Sequence, residues 1–302
     1  EEVVVFFVHL RYLNIRLDSK AGIPSAIAKL SRLETFVIIK PRGGCILLPN
    51  TIWNIKTLRH RVVSSNGSGF EFPIDNLFIK SSRCGFRFPA DSLAGSPDLK
   101  HLETLSLAID SSSQSLQKIL TKLPSIRKLK CAPSSSSRNR ILVLDGLCRL
   151  ESLKVDSLAP LEIKFPLYLK KLTLSRTRMP WTEISTIGKL PNLEVLKLRH
   201  KAFVGDKWET KAGEFLNLRF LELSSLGLRS WTAASDNFSR LEKLVLHQCG
   251  KLKQVPSCLG ECSNLEMIKL KRCCKAAVTS VKQIQEEQME AGNEGLRVVL
   301  GK

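Results

Sequence analysis

Five thiols crowd into 26 residues near one end of the chain: Cys249, Cys258, Cys262, Cys273 and Cys274. Zinc is the chemistry such a cluster suggests, because a tetrahedral site needs four converging ligands, usually from cysteine pairs two to four residues apart. Cys258 and Cys262 have that spacing. Against zinc, Cys249 and Cys273 are 24 residues apart and close the related strings LVLHQC and IKLKRC. That puts both at one position of a recurring unit, where a free cysteine packs as a small hydrophobe. Adjacent Cys273 and Cys274 would point to opposite faces of a strand. The thiols therefore read as core, with no metal site. Nine cysteines, an odd number without the close pairing of a disulfide framework, fit a reducing cytosolic or nuclear compartment.

Catalytic signatures are missing. No G-x-x-x-x-G-K-[ST] phosphate loop occurs, and Gly188-Lys189 and Gly250-Lys251 lack its upstream glycine. H-E-x-x-H, G-x-S-x-G and kinase motifs are absent too. The histidines His9, His60, His101, His200 and His247 are scattered, so no acid–base pair is visible. The chain reads as non-enzymatic and as holding no cofactor of its own.

Charge is the remaining chemistry. Lysine and arginine total 47 against 28 acidic residues, a formal charge of +19. Such an excess attracts acidic protein surface, nucleic acid or anionic lipid. No apolar run approaches the roughly 18–20 residues of a membrane span. The run Val3–Val8, preceded by Glu1 and Glu2, is not a signal peptide. Asn66 and Asn237 head N-x-S sequons, a pattern frequent by chance, and both read as unused.

Aliphatic spacing decides where these charges sit. Leu241, Leu244, Leu246 and Cys249 recur as Leu265, Ile268, Leu270 and Cys273. This is the leucine-rich repeat pattern L-x-x-L-x-L-x-x-N/C, with a period inside its 20–29-residue range. The anchor leucines are Leu10, Leu33, Leu58, Leu102, Ile126, Leu150, Leu169, Leu193, Leu218, Leu241 and Leu265. Eight of the ten intervals are 23 to 25 residues; a 44 follows Leu58 and a 19 follows Leu150. The long interval predicts an irregular repeat near 70–99, with a strand at Ile74-x-x-Leu77-x-Ile79.

The fold expected is an α/β leucine-rich-repeat solenoid, a horseshoe with a concave parallel β-sheet and an irregular convex side. Residues 1–302 form a single domain of about 11–12 repeats, with a C-terminal cap over 276–302. Return limbs carry Ile23, Pro24, Ile27 and Leu30, then Leu48, Pro49, Ile52 and Ile55, then Val255, Pro256 and Leu259. Val278, Val281, Ile284 and Gln288 lie at helical spacing in the cap, opposite Glu286, Glu287 and Glu290. Position 9 should bond the next turn, yet Pro41, Leu158, Lys201 and Leu226 stand there in four units, so the array is irregular. Ser/Gly-rich loops are expected at 64–69, 111–115 and 133–140.

Positions 4 and 6 of each unit point inward, so positions 3, 5, 7 and 8 line the concave face. They carry Lys128, Lys130, Lys154, Lys171, Arg176, Lys197, Arg199 and His200, and later Lys243, Lys269, Lys271 and Arg272. The acids among them are chiefly Asp156 and Glu222. Like charges stacked at strand spacing destabilise one another unless something offsets them. The stripe from Lys128 to His200 is therefore the candidate protein-binding site, a dock for an acidic surface. Outward aromatics are limited to Tyr12 and Phe220, which makes a nucleic-acid groove the weaker reading.

The segment LEKLVLHQCGKLKQVPSCLGECSNLEMIKLKRC, followed by AAVTSVKQIQEEQMEAGNEGLRVVL, resembles the end of plant intracellular nucleotide-binding leucine-rich-repeat immune receptors. The likeness is to the coiled-coil class of the late-blight-resistance type. HLRYLNI at His9–Ile15, IPSAIAKLSRLETF at Ile23–Phe36 and LPNTIWNIKTLRH at Leu48–His60 match the start of the same repeat domain. Arg61, where an inward Leu is expected, departs from the pattern and puts that register in doubt. The resemblance implies a cytoplasmic, non-enzymatic module of a longer protein whose upstream domain binds ADP or ATP. Such repeats hold the receptor inactive by packing on its nucleotide-binding domain and recognise pathogen effectors or host targets. An extracellular receptor ectodomain and the recognition repeats of a ubiquitin ligase are the alternatives.

Overall fold

A computed structural model describes residues 7–16, 23–39, 51, 54–64, 100–109, 120–121, 123–133, 141–157, 161–290, 292 and 295–301. The chain divides into two compact units, Glu1–Leu150 and Glu151–Lys302.

In the first unit the sheet strands are β1 (Tyr12–Arg16), β2 (Thr35–Ile39), β3 (His60–Ser64), β4 (Thr104–Ile109) and β5 (Lys128–Pro133); β6 (Ile141–Val143) lies beyond them in sequence. β1 to β5 pair parallel in chain order. Each anchor leucine sits just ahead of its strand, and Leu33, Leu58, Leu102, Ile126 and Leu150 are all buried. A short 3-10 turn, Ser25–Lys29, forms one return limb and buries Ile27, with Ile23 and Leu30 buried beside it. The doubted register holds: Arg61 pairs with Phe36 on one side and Leu105 on the other. β3 and β4 are thus direct neighbours across the 44-residue interval. The strand expected at 74–79 and most of the three Ser/Gly-rich loops lie outside the described residues.

The second unit carries β7 (Ser152–Asp156), β9 (Lys171–Ser175), β11 (Val195–Arg199), β14 (Phe220–Ser224), β16 (Lys243–His247), β17 (Met267–Lys271) and β18 (Arg297–Gly301) in one parallel sheet. Short strands β8 (Glu162–Lys164), β10 (Met179–Pro180), β12 (Phe203–Val204), β13 (Lys207–Glu209) and β15 (Ser230–Thr232) mark the return limbs. Six of its sheet strands, β7, β9, β11, β14, β16 and β17, bury their second and fourth residues, as an aliphatic pair at positions 4 and 6 requires. Leu153, Leu172, Leu196, Leu221 and Leu244 accordingly form one row in register.

The backbone is knitted at both strand ends. Ahead of most sheet strands one carbonyl accepts two N–H groups from the next unit: Glu194 and Val195 donate to Lys170, and Arg219 and Phe220 donate to Glu194. After five strands, position 8 turns through the left-handed region, at Arg176, His200, Ser225, Gln248 and Arg272 with φ of 49 to 58°. Each N–H there donates to the last strand residue of the following unit, for example His200 to Ser224 at 2.8 Å. None of the five is glycine, so the inter-unit bond offsets a conformation costing roughly 1–2 kcal/mol per residue.

The return limbs hold a core that the leucine pattern does not reveal. Trp181, Trp208 and Trp231 stack face to face, at 5.1 and 4.8 Å between centroids. Phe215 and Phe238 stack on each other and meet Trp208 edge-on. The cap forms as a helix, Lys275–Glu290, burying Ala277, Val281, Ile284 and Gln288. Gln288 donates its amide to the carbonyls of Gly260 and Cys262, tying helix to preceding unit.

Candidate functional site

Backbone alternation puts positions 3, 5 and 7 of the second unit on the outward sheet face, and the parallel register aligns them into rows. One row reads Lys154, Thr173, Lys197, Glu222, Val245, Lys269. The next reads Ser152, Lys171, Val195, Phe220, Lys243, Met267. Six of the eight stripe residues belong to the second unit: Lys154, Lys171 and Lys197 in these rows, Arg199 at position 7, and Arg176 and His200 in the turns at position 8. Lys128, exposed, and Lys130, half-buried, belong to β5 of the first unit.

Within the second unit the stripe is not uniform. Arg176 forks onto Asp156, Nε and Nη2 each donating at 2.7 Å. Arg199 forks onto Glu222 at 2.6 and 2.8 Å. The two acids of this face are thus each matched to a guanidinium in bidentate geometry, the strongest form of such a pair. Arg176, in the left-handed turn after β9, thus pairs with Asp156 at the end of β7 in the preceding unit.

The lysines are arranged otherwise. Burial lowers the pKa of Lys154, and Arg199 beside it adds to the effect. Burial likewise lowers Lys197; Glu222 opposes this, while Arg199, Lys171 and Lys243 reinforce it. Phe220 lies between Lys197 and Lys243, whose Nζ atoms stand over its ring at 5.0 and 6.0 Å from the centroid. Lys171, Lys197, Lys243, Lys269, Lys271 and Arg272 make no ion pair among the described residues. This face therefore holds several cations that no carboxylate pairs directly among the described residues.

The thiols serve the repeat. Cys249, buried, donates to Leu223 O at 3.4 Å, and Cys273 to Leu246 O at 3.5 Å. Cys262 donates to Phe238 O and Leu241 O. The Cys273 thiol and burial push Cys249 upward. Cys273 and Cys274 lie past the end of β17 rather than in a strand, in the turn into the C-terminal helix, and Cys274 turns to Leu252 O. Among the described residues no group of three or more His, Cys, Asp or Glu is placed to hold a metal. Gly188 of Gly188-Lys189 packs on the buried Glu214 side chain.

Position 9 is irregular, as its residues led one to expect: Thr177, buried, donates to Ala202 O at 2.8 Å, whereas Leu226 is buried as core and Lys201 is exposed with Ala202 inward; Pro41 and Leu158 lie outside the described residues. A second set of caps escaped the pattern: Asn192, Asn217 and Asn264, each just ahead of an anchor leucine, donate to Leu167 O, Pro191 O and Ser239 O. The recurrent Asn-Leu dipeptide was the signal for them. Asn237 of the sequon is buried, donating to Lys211 O and Glu214 O and accepting from Ala234 N and Thr210.

The comparisons with known proteins agree with this geometry. A family model described as leucine-rich repeat region matches residues 2–294. Two late blight resistance protein homologs of Solanum demissum are similar: one is 34% identical over 290 residues, 93% of this chain and 21% of its own length. The other is 35% identical over 294 residues, 93% of this chain and 35% of its own. The chain thus spans about a fifth to a third of these relatives. An internalin of Listeria monocytogenes superposes with a TM-score of 0.51 at 14% identity, over 98% of this chain and 83% of that one, a likeness of fold alone. Among the described residues no helix is long and apolar enough to cross a membrane.

Proposed function

Because this chain belongs to the leucine-rich repeat region family, we propose that it is the recognition and autoinhibition module of a plant immune receptor of the late-blight-resistance type. In this reading it works in the cytosol and catalyses nothing. Its outward sheet face docks on an acidic flank of the receptor's own nucleotide-binding domain, and a pathogen effector or host target competes for or remodels that contact. Of the stripe, Lys154, Lys171, Arg176, Lys197, Arg199 and His200 of the second unit supply the charge, with the lysines in the leading role.

The observation that carries the reading is the split between arginines and lysines. Arg176 and Arg199 take up the acids of the face, so the charge left to attract a partner is that of Lys171 and Lys197. Against the ectodomain alternative, Asn237 has its amide buried and bonded at both ends, where no glycan fits.

Lys154→Glu, Lys171→Glu and Lys197→Glu, introduced together into the receptor carrying this repeat region, test it. Co-precipitation of the repeats with the nucleotide-binding domain should fall and basal cell-death signalling should rise. If both stay at wild-type level, the face is not the clamp.

A further inference from the structure

The cations that make no ion pair continue past the stripe. On β16 and the turn after it the outward positions are Lys243, Val245, His247 and Gln248; on β17 and its turn they are Met267, Lys269, Lys271 and Arg272. No carboxylate stands among these eight. Lys269, Lys271 and Arg272 are exposed and Lys243 is half-buried. The two strands are in direct register, so Lys243 faces Met267, Val245 faces Lys269 and His247 faces Lys271. Burial, followed by Lys271 and Arg272, lowers the His247 pKa, while Glu222 opposes the shift.

Phe220 joins this patch to Lys197. A lysine ammonium over an aromatic face is held by the ring quadrupole, so the ring restrains two long side chains that would otherwise lose rotamer freedom on binding. Val195, Val245 and Met267 are half-buried among the cations and offer apolar contact between the charges.

We propose that the surface running from Lys197 across Phe220 to Arg272 is an anchor for an acidic polypeptide segment of a partner protein, one in which carboxylates alternate with apolar side chains. The proposal rests on the docking reading above and moves its centre toward the C-terminal strands. Cations set beside small apolar positions match such a segment. A single-stranded nucleic acid would need an open aromatic face to stack its bases, and Phe220 is occupied by Lys197 and Lys243.

The full chain, titrated into a fluorescein-labelled Glu-rich peptide containing leucines, tests this by anisotropy at about 0.15 M salt. Wild type should bind the peptide and ignore its Gln-substituted counterpart. Lys243→Glu with Lys269→Glu should weaken binding about tenfold or more, because two attractive contacts become repulsive, and Phe220→Leu, which keeps the apolar bulk but removes the ring face that restrains two lysines, about threefold. Lys207→Glu, on the return limb, should leave it unchanged, with the circular dichroism of each variant checking the fold. Absence of peptide binding, equal loss in the Lys207 variant, or tighter binding of oligo-dT or of phosphatidylserine vesicles than of the peptide overturns the proposal. The two readings fail separately. A chain that binds the peptide while the reversed receptor signals normally refutes the autoinhibitory clamp, and a clamp sensitive to Lys171 and Lys197 without peptide binding refutes this anchor.

Discussion

Glu222→Gln removes one charge from the middle of the sheet face and keeps the side chain's shape. In the native fold Arg199 donates two bonds to Glu222, at 2.6 and 2.8 Å, with side chains 19% and 14% exposed. Two charges about 4 Å apart at an effective dielectric near 20 attract by about 4 kcal/mol. Desolvation cancels part of this, so the cost falls between the ~0–1 kcal/mol of exposed pairs and the ~3–5 kcal/mol of a truncated buried pair. About 2 kcal/mol is the expected loss. Glu222 also opposes the downward shift of Lys197, so its removal leaves that lysine harder to keep charged. Binding should move the other way. A ligand carboxylate about 8 Å from position 222 feels roughly 1 kcal/mol of repulsion from Glu222 at a dielectric near 40, reduced to about 0.4 kcal/mol by screening at 0.15 M salt. Its loss tightens an acidic peptide about twofold. Urea unfolding followed by circular dichroism reads the first effect, and peptide anisotropy the second. Glu242→Gln is the control: Arg219 and Glu242 are 57% and 37% exposed, and stability should hold. Unchanged stability in Glu222→Gln, or affinity falling together with stability, refutes the reasoning.

Two further outcomes follow from burial. Trp208→Ala removes the middle of the indole stack, and Trp→Ala in a core costs about 3–5 kcal/mol; a loss in urea unfolding below about 1 kcal/mol would show that the stack is not core. Burial pushes the Cys131 thiol up to about 12, while Cys148 is exposed. Iodoacetamide at pH 8 should therefore alkylate Cys148 and spare Cys131 until the chain unfolds, as read by peptide mass. Because the raised pKa favours the neutral thiol in the fold, the stability Cys131 contributes is complete below the ordinary thiol pKa of 9.0 and is lost as pH climbs toward about 12. Early labelling of Cys131 in the native chain would contradict its burial.

The rows of the sheet were legible before any coordinates. Leu153, Leu172, Leu196, Leu221 and Leu244 share one register row because each sits three residues after an anchor, and strand alternation is a local property of the backbone. The same alternation placed Lys154, Lys171 and Lys197 outward. The C-terminal helix was legible from its period, although Ala277 rather than Val278 completes its buried face, since one position of shift turns a helix by 100°. Cysteines at position 9 were readable as packing residues because Cys249 and Cys273 recur with their units, although Cys249 is buried and Cys273 only half-buried.

Tertiary structure alone decided which charges remain unmatched. Arg176 and Asp156 are 20 residues apart, Arg199 and Glu222 are 23, and the pairing depends on register between units together with a left-handed turn at a residue that is not glycine. Nothing in the local sequence signals such a turn, because the inter-unit hydrogen bond that offsets it exists only after stacking. The indole stack and the Phe220 lysine pair arise in the same way. Trp181, Trp208 and Trp231 fall on limbs without a shared motif, and only the return path brings their rings together. A repeat's period is written residue by residue along the chain, whereas partner choice is made across units by side chains that meet only when the sheet has formed.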